Sequence, residues 1–326
     1  MEKINWGIIG CGDVTEVKSG PAFNKVENSS LVAVMRRDGE KAKDYALRHG
    51  VSKWYDDADK LINDKDVNAI YIATPPAFHE EYAIAAMNAG KPVYIEKPMA
   101  LDFDSAKNII KIAEEKNIKL SIAHYRRGQP LFNKVKQLLN EKVIGNVRFA
   151  RLEFYKKQLP LEALKIPKVA WRVNPEIAGG GLFHDIAPHQ LDLMYWFFGD
   201  IQKASGYAIN QSGLYEADDI VSGNILFKSG VIFNGLWCFN IAEENEKDLC
   251  EIHGSEGKMR FPIFEHKKIE IIKNGKTEEI LFEPLEHVQQ PLIQKVVDYF
   301  LGKGPNPTSA QDGATVMWLL DEFTRK

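Results

Sequence analysis

Cysteine is scarce. The 326 residues hold three, Cys11, Cys238 and Cys250, too few and too scattered for a disulfide framework or a zinc cluster, which points to a reducing compartment. No run of about 18 apolar residues is present, so no transmembrane helix is expected. Neither sign of charge dominates. With 42 basic and 45 acidic residues mixed along the chain and a net charge of −3, there is no basic footprint for nucleic acid and no polybasic tail for a membrane. Internal repeats and low-complexity segments are absent. The chain enters a strand-like run within its first residues, which leaves no room for a signal peptide, and a soluble cytoplasmic protein is expected. What is present is ordinary globular composition, 44% apolar and 27% charged, at a length that fits about two domains.

The first third repeats a short apolar run followed by a longer amphipathic segment. Ile4–Ile9, Leu31–Met35, Asn68–Ala73, Pro92–Ile95 and Lys119–Ala123 read as buried strands, with helices such as Gly39–His49 and Phe78–Ala89 between them. This alternation predicts a doubly wound α/β domain with a parallel sheet over residues 1–123. From residue 124 the texture changes. A helix at Pro130–Asn140, a long strand at Asn146–Lys156, an irregular stretch over 158–181 and a helix at Asp185–Phe198 lead into a run of strands. Ala204–Asn210, Asp219–Phe227 and Val231–Asn240 are followed by Asp248–His253, Lys258–Phe261, Lys268–Lys273 and Thr277–Phe282. Hairpin links such as Lys228-Ser229-Gly230 predict a mostly antiparallel, open sheet in an α+β domain over 124–326, closed by helices near Pro291–Leu301 and Ser309–Thr324.

Between the first strand and the first helix lies Gly10-Cys11-Gly12-Asp13-Val14-Thr15. Gly10 suits a tight turn, and Gly12 lets the backbone approach a pyrophosphate seated at the helix N-terminus. Thr15 occupies the third position of G-x-G-x-x-G, where glycine or alanine is usual. The loop alone also fits a purely structural turn; its strand-before, helix-after context favours a dinucleotide. Arg36 and Arg37 end the second strand, where NAD enzymes place an acid for the ribose. An arginine there fits a 2′-phosphate, so NADP is the expected cofactor. Asp38, two residues on, keeps NAD possible, and solvated arginines at a strand end are the plain alternative.

Further motifs follow in order: Thr74-Pro75-Pro76 with His79, Glu96-Lys97-Pro98 after the fifth strand, Trp171-Arg172, and Gly179-Gly180-Gly181 leading to His184-Asp185, His189 and Asp192. Together they resemble the glucose–fructose oxidoreductase/inositol dehydrogenase/MocA family of NAD(P)-dependent oxidoreductases over nearly the whole chain. The resemblance implies a Rossmann domain followed by a substrate-binding and oligomerisation domain. It implies dehydrogenase or reductase chemistry on a secondary alcohol, keto or lactol carbon of a sugar, inositol or cyclic diol, and a homodimer or homotetramer formed through the second sheet. It also implies Lys97 as the catalytic lysine, with Asp185 and His189 completing the site. Gly10 to Val14, Arg36, Arg37, Thr74, Pro75, His79, Glu96, Lys97, Trp171 and Arg172 are then the expected cofactor contacts. Lys97, Tyr125, Arg126, Asp185 and His189 are the expected substrate contacts. Two departures stand out: Ala187-Pro188 replaces a common glycine and is expected to alter the helix start around His189, and His184 is an uncommon polar neighbour of Asp185.

The chemistry fits these residue types. Oxidising an alcohol needs hydride transfer to the nicotinamide and a base on the hydroxyl proton, and lysine serves when burial and nearby positive charge lower its pKa. Asp185 and His189, four apart, share a helix face; a capping Asp with a packed His is the structural alternative. A metal set from His184, Asp185, His189 and Asp192 is not expected, because the family's usual chemistry needs none. Two rival functions remain: a catalytically silent dinucleotide-binding regulator, and a variant in which bound NAD is recycled within one turnover. Retention of Lys97, Asp185 and His189 argues against the first.

Overall fold

The computed structural model describes residues 2–265 and 267–325. They form two compact units, Met1–Gln129 with Leu285–Met317, and Pro130–Pro284 with Trp318–Lys326.

Unit 1 alternates strand and helix: β1 (Ile4–Ile9), α1 (Asp13–Val17), β2 (Ser29–Met35), α2 (Gly39–His49), β3 (Lys53–Tyr55), α3 (Ala58–Ile62), β4 (Ala69–Ile72), α4 (His79–Asn88), β5 (Val93–Ile95), α5 (Phe103–Glu115) and β6 (Leu120–Ile122). The six strands are parallel in the order β3-β2-β1-β4-β5-β6. Every residue of β4 and β5 is buried, as a sheet covered on both faces requires. Trp6 and Ile8 point to one face and pack with Phe23, Tyr71 and Tyr94 against Leu292, Val296 and Phe300 of the helix Gln290–Phe300. Gly7 points the other way, where a Cβ would lie 2.6 Å from Leu61 of α3. The strand order turns back between β1 and β4. Ligands of doubly wound folds bind at that switch point, outside the carboxyl ends of the strands.

Unit 2 carries α6 (Pro130–Asn140), β7 (Val147–Lys157), α7 (Pro167–Ala170), α8 (Pro175–Ala178), α9 (Leu182–Phe198), β8 (Ile201–Ile209), β9 (Ile220–Phe227), β10 (Ile232–Ile241), β11 (Lys247–Gly254), β12 (Lys258–Phe261), β13 (Lys268–Lys273) and β14 (Lys276–Leu281). The chain then returns to unit 1 with α10 (Gln290–Phe300), and α11 (Ala310–Thr324) begins in unit 1 and ends in unit 2. The eight strands run β14-β13-β12-β11-β7-β10-β9-β8, antiparallel except for the β7–β10 pair. Burial alternates along β9, so one face is core. On that face Trp237 donates to Gln190 of α9 over 2.6 Å, and Phe323 of α11 lies over Gly206 and Gly223. The other face presents Phe149, Tyr207 and Ile232 to solvent.

The ranges predicted for β1, α2, α6, β12 and β13 coincide with those observed. β3 and α3, three and five residues long, are not among the predicted elements, because a periodicity cannot be established over so few positions. β8 begins at Ile201 rather than Ala204, and α9 shifts by as much. That helix begins at Leu182 rather than Asp185, and Pro188 sits inside it instead of disturbing its start.

Candidate active site

Gly10 follows β1 with φ of +93°, and a Cβ there would lie 2.8 Å from Thr74 and 2.9 Å from the Ala73 carbonyl. Only glycine lets the loop pass this close to the end of β4. Above Gly12 nothing comes nearer than 3.9 Å, so its backbone is open to a ligand. Asp13 and Val14 form the first turn of α1. Thr15 is accommodated by bonding: its hydroxyl donates to the Gly12 carbonyl over 2.8 Å, and its own carbonyl accepts the Tyr45 hydroxyl over 2.8 Å. Cys11 is buried, which raises its thiol to about 11 and keeps it protonated.

At the end of β2, Arg36 donates to the Cys11 carbonyl over 3.4 Å, and the Arg37 guanidinium lies 4.8 Å over the Phe78 ring. Asp38 is the N-cap of α2; it accepts the Lys41 N–H over 3.2 Å and pairs with the Lys41 ammonium at 2.7 Å. Its carboxylate is therefore engaged locally, as an aspartate at a helix N-cap is. Beside Arg37 lies a cleft of about 480 Å³ lined by Met35, Asp56, Asp57, Asp59, Glu81 and Tyr82 among others.

The loops after β4 and β5 are joined by His79. This ring is fully buried, with Nδ1 2.9 Å from the Pro98 carbonyl and Nε2 2.8 Å from the Thr74 carbonyl. Burial pushes its imidazole down to about 4, so it is neutral and donates to one of the two. Glu96 is likewise engaged within unit 1. Its Oε1 accepts the Tyr71 hydroxyl over 2.5 Å and Gln289 over 2.7 Å, and its Oε2 accepts the Lys97 N–H over 3.2 Å. Burial, with Glu96 alongside, raises Tyr71 well above the ordinary phenol range, so it remains a donor. The side chains of His79 and Glu96 thus hold loops in place. Beyond β6, Tyr125 and Arg126 lie buried in one 3-10 turn, with the guanidinium 5.4 Å over the tyrosine ring.

These residues fit a dinucleotide. Gly10, Gly12 and the chain around Thr74 and Pro75 end adjacent parallel strands at the switch point, and the buried Thr74 Oγ1 has no hydrogen-bond partner among the described residues. An orphaned hydroxyl beside an open glycine backbone is what a polar ligand would satisfy.

In unit 2, Trp171 and Arg172 lie in a 3-10 turn after α7. Arg172 Nε stands 3.3 Å from Asp185 Oδ2, its guanidinium covers the Trp171 ring at 4.7 Å, and it donates to the Lys168 carbonyl. The pairing that the sequence did not signal is therefore Arg172 with Asp185. Asp185 lies in the first turn of α9, whose N-cap is Gly181, so the capping alternative for Asp185 does not hold. His189 follows one turn later, buried, with Phe264 edge-on at 5.8 Å. His184 packs directly over Gly180, where a Cβ would meet the ring at 2.2 Å, and burial pushes its imidazole down to about 4. The middle glycine of the run is thus required by the residue beside Asp185. Among the described residues no group of three or more His, Cys, Asp or Glu side chains is arranged to hold a metal ion.

Comparison with known proteins agrees with this geometry. Residues 4–124 match the model of an oxidoreductase family with an NAD-binding Rossmann fold, and residues 132–260 match the GFO/IDH/MocA C-terminal domain. An Oxidoreductase P35 from Formosa agariphila is 47% identical over 98% of each chain. A 1,5-anhydro-D-fructose reductase from Ensifer adhaerens is 30% identical over 78% of this chain and 74% of its own. A solved levoglucosan dehydrogenase in complex with NADH shares the fold at a TM-score of 0.86, with 22% identity over 98% of this chain and 96% of that one. The fold and site define an oxidoreductase with an NAD(P)-binding Rossmann domain. The chain belongs to the GFO/IDH/MocA family.

Proposed function

We propose that this oxidoreductase transfers a hydride between NADP and a secondary alcohol, keto or lactol carbon of a sugar, inositol or cyclic diol, with Lys97 moving the proton. The observation that carries the reading is the placement of Lys97. It leaves β5 at the carboxyl edge of the parallel sheet, one strand from Thr74 and two from the glycine loop, with its backbone held by Glu96. Gly10, Cys11, Gly12, Asp13, Val14, Thr74 and Pro75 hold the cofactor, which supplies the hydride chemistry. Lys97 Nζ takes the hydroxyl proton during oxidation and returns it during reduction. Asp185, oriented by Arg172, and His189 bind the substrate's polar groups. The reductase name of one relative and the dehydrogenase name of a structural neighbour, which concern anhydrofructose and levoglucosan, support a sugar-like substrate.

NADP is favoured because Asp38, the acid best placed in sequence to bind a ribose hydroxyl, is committed to capping α2, while Arg36 sits at the strand end beside Cys11. The acidic residues Asp56, Asp57, Asp59 and Glu81 beside Arg37 favour the rival, NAD. The open sheet face with Phe149, Tyr207 and Ile232 supports a homo-oligomer formed through unit 2. Following nicotinamide absorbance with both cofactors against a panel of sugars, inositols and diols tests the reading; cofactor-dependent turnover of at least one such compound is expected. Tight cofactor binding with no turnover across the panel would favour the silent regulator. Light scattering tests the oligomer, and a monomer of 36.9 kDa at micromolar concentration would overturn it.

A further inference from the structure

Gln289 lies outside every motif of the sequence, in the segment that returns to unit 1 after the second sheet. It is fully buried, and its amide donates to Glu96 Oε1 over 2.7 Å. The same oxygen accepts Tyr71, and the other accepts the N–H of Lys97. Gln289 is itself fixed. Its N–H donates to the Lys18 carbonyl over 3.2 Å, and its carbonyl accepts Leu292 and Ile293 at the start of α10, both over 3.0 Å. On the far side of Tyr71, Ser19 Oγ lies at 3.2 Å and reaches the Val14 carbonyl at 3.3 Å. The hydrogen-bonded connection therefore runs from Tyr71 through Glu96 to the peptide of Lys97, with Ser19 in contact with the Tyr71 hydroxyl.

We infer that Gln289 is a positioning residue for proton transfer: through Glu96 it fixes the orientation of the Lys97 backbone. The inference rests on the reading that Lys97 moves the proton. The last torsion of a glutamate is soft, and Oε1 is held by both Tyr71 and Gln289, so loss of Gln289 leaves that oxygen to the rotatable phenol hydroxyl alone. Donors on both oxygens remove that freedom. Only the amide nitrogen of Gln289 can donate to Glu96, which sets the orientation of the amide. The surroundings are aromatic, with Tyr71 and Tyr94 stacked at 5.2 Å, and a hydrogen bond in such a low-dielectric setting is stronger than in water.

The test uses the full chain with Q289M, which keeps the length and removes the donor, with E96Q, and with the double variant. Q289M is expected to lower kcat about tenfold and leave the KM for cofactor within about twofold, the scale for a lost buried donor to a carboxylate. In the E96Q background the same change should cost less than about twofold, because the shared partner is already altered. An unchanged kcat in Q289M, or two effects that simply multiply, overturns the inference. Should Q289M fail to fold, Q289E keeps the shape and sets carboxyl against carboxyl. Its kcat should then recover as pH falls, and a pH profile matching the unaltered protein overturns the inference. K97A separates the two levels. If K97A loses turnover while Q289M keeps it, the positioning role fails alone; if K97A retains turnover, the Lys97 reading fails and the inference with it.

Discussion

Lys97 and Asp185 are held by different physics. The lysine loop is fixed by buried groups: Glu96 with three donors, and His79 between the Thr74 and Pro98 carbonyls. Asp185 is held by Arg172, in a pair whose side chains remain 23% and 28% exposed. Buried networks are nearly all-or-nothing and specify one geometry, whereas a part-exposed pair is screened and adjustable. The contrast extends to the sheets. That of unit 1 is covered on both faces, while that of unit 2 leaves one face to solvent. Cofactor chemistry needs the same geometry in every turnover, and substrate recognition is where relatives on one fold diverge.

The comparison predicts that changes in unit 1 are the more costly. Lys97→Ala should leave cofactor binding nearly intact and lower kcat about 100- to 10,000-fold, the usual scale for a general acid–base group. Steady-state rates together with a fluorescence titration of cofactor check this, and near-normal turnover would remove Lys97 from the chemistry. Arg36→Asp should weaken NADP binding about 10- to 100-fold, the worth of one charge-assisted contact. If the unaltered protein binds NAD as tightly as NADP, the preference assigned to Arg36 is wrong.

Much of the lysine half was legible because it is local in sequence. Glycine loop, T-P turn and E-K-P each sit directly after a strand, and a parallel sheet places such loops side by side. Asp38 caps α2, a role that its residue type directly before a helix allows. Gln289 was not legible. It is 193 positions from Glu96, and nothing in its neighbourhood distinguishes it from any other helix-capping glutamine. The pairing of Arg172 with Asp185 was hidden for a similar reason, since the W-R motif attracts a cofactor role before an ionic one. The structure starts α9 at Leu182, three residues before the predicted Asp185, directly after the glycine run that caps it.

Acid should sharpen the comparison. Burial holds His79 at about 4 and His124 at about 3 in unit 1, and His184 at about 4 in unit 2, all below the ordinary imidazole range. Between those values the unfolded chain binds protons that the native state does not, so stability rises with pH. The contribution is whole above about pH 6.5 and is lost as pH falls towards 4. Glu16 and Asp64, held at about 2, keep their own contributions until pH falls below the ordinary carboxylate range and leave this window clear. From about pH 7.5 to about pH 5 each histidine should cost on the order of 2 kcal/mol. Hydrogen exchange at the two pH values reads this locally: protection around His79, His124 and His184 should fall at about pH 5, and unchanged protection there would contradict the assignment.

The smallest effect belongs to Arg172. Its pair with Asp185 is screened by solvent, so Arg172→Ala should cost less than about 1 kcal/mol of stability, a shift of about 2–4 °C in Tm for a unit of this size. Asp185 keeps its place in the first turn of α9 but loses the charge that orients it. The KM for substrate should therefore rise about fivefold or less, while kcat and the KM for cofactor stay near their unaltered values. Arg172→Lys retains the charge and loses the planar fork, so it should fall between the two. Salt offers an independent check. At about 1 M the screening length shrinks to about 3 Å, and the unaltered protein should approach the KM of the alanine variant. The motif reading of Trp171-Arg172 as a cofactor contact makes the opposite claim. Under it the KM for cofactor rises first and salt leaves the KM for substrate unchanged. A cofactor-specific defect in Arg172→Ala would therefore make Arg172 a cofactor contact and erase the contrast between a fixed lysine loop and an adjustable Asp185.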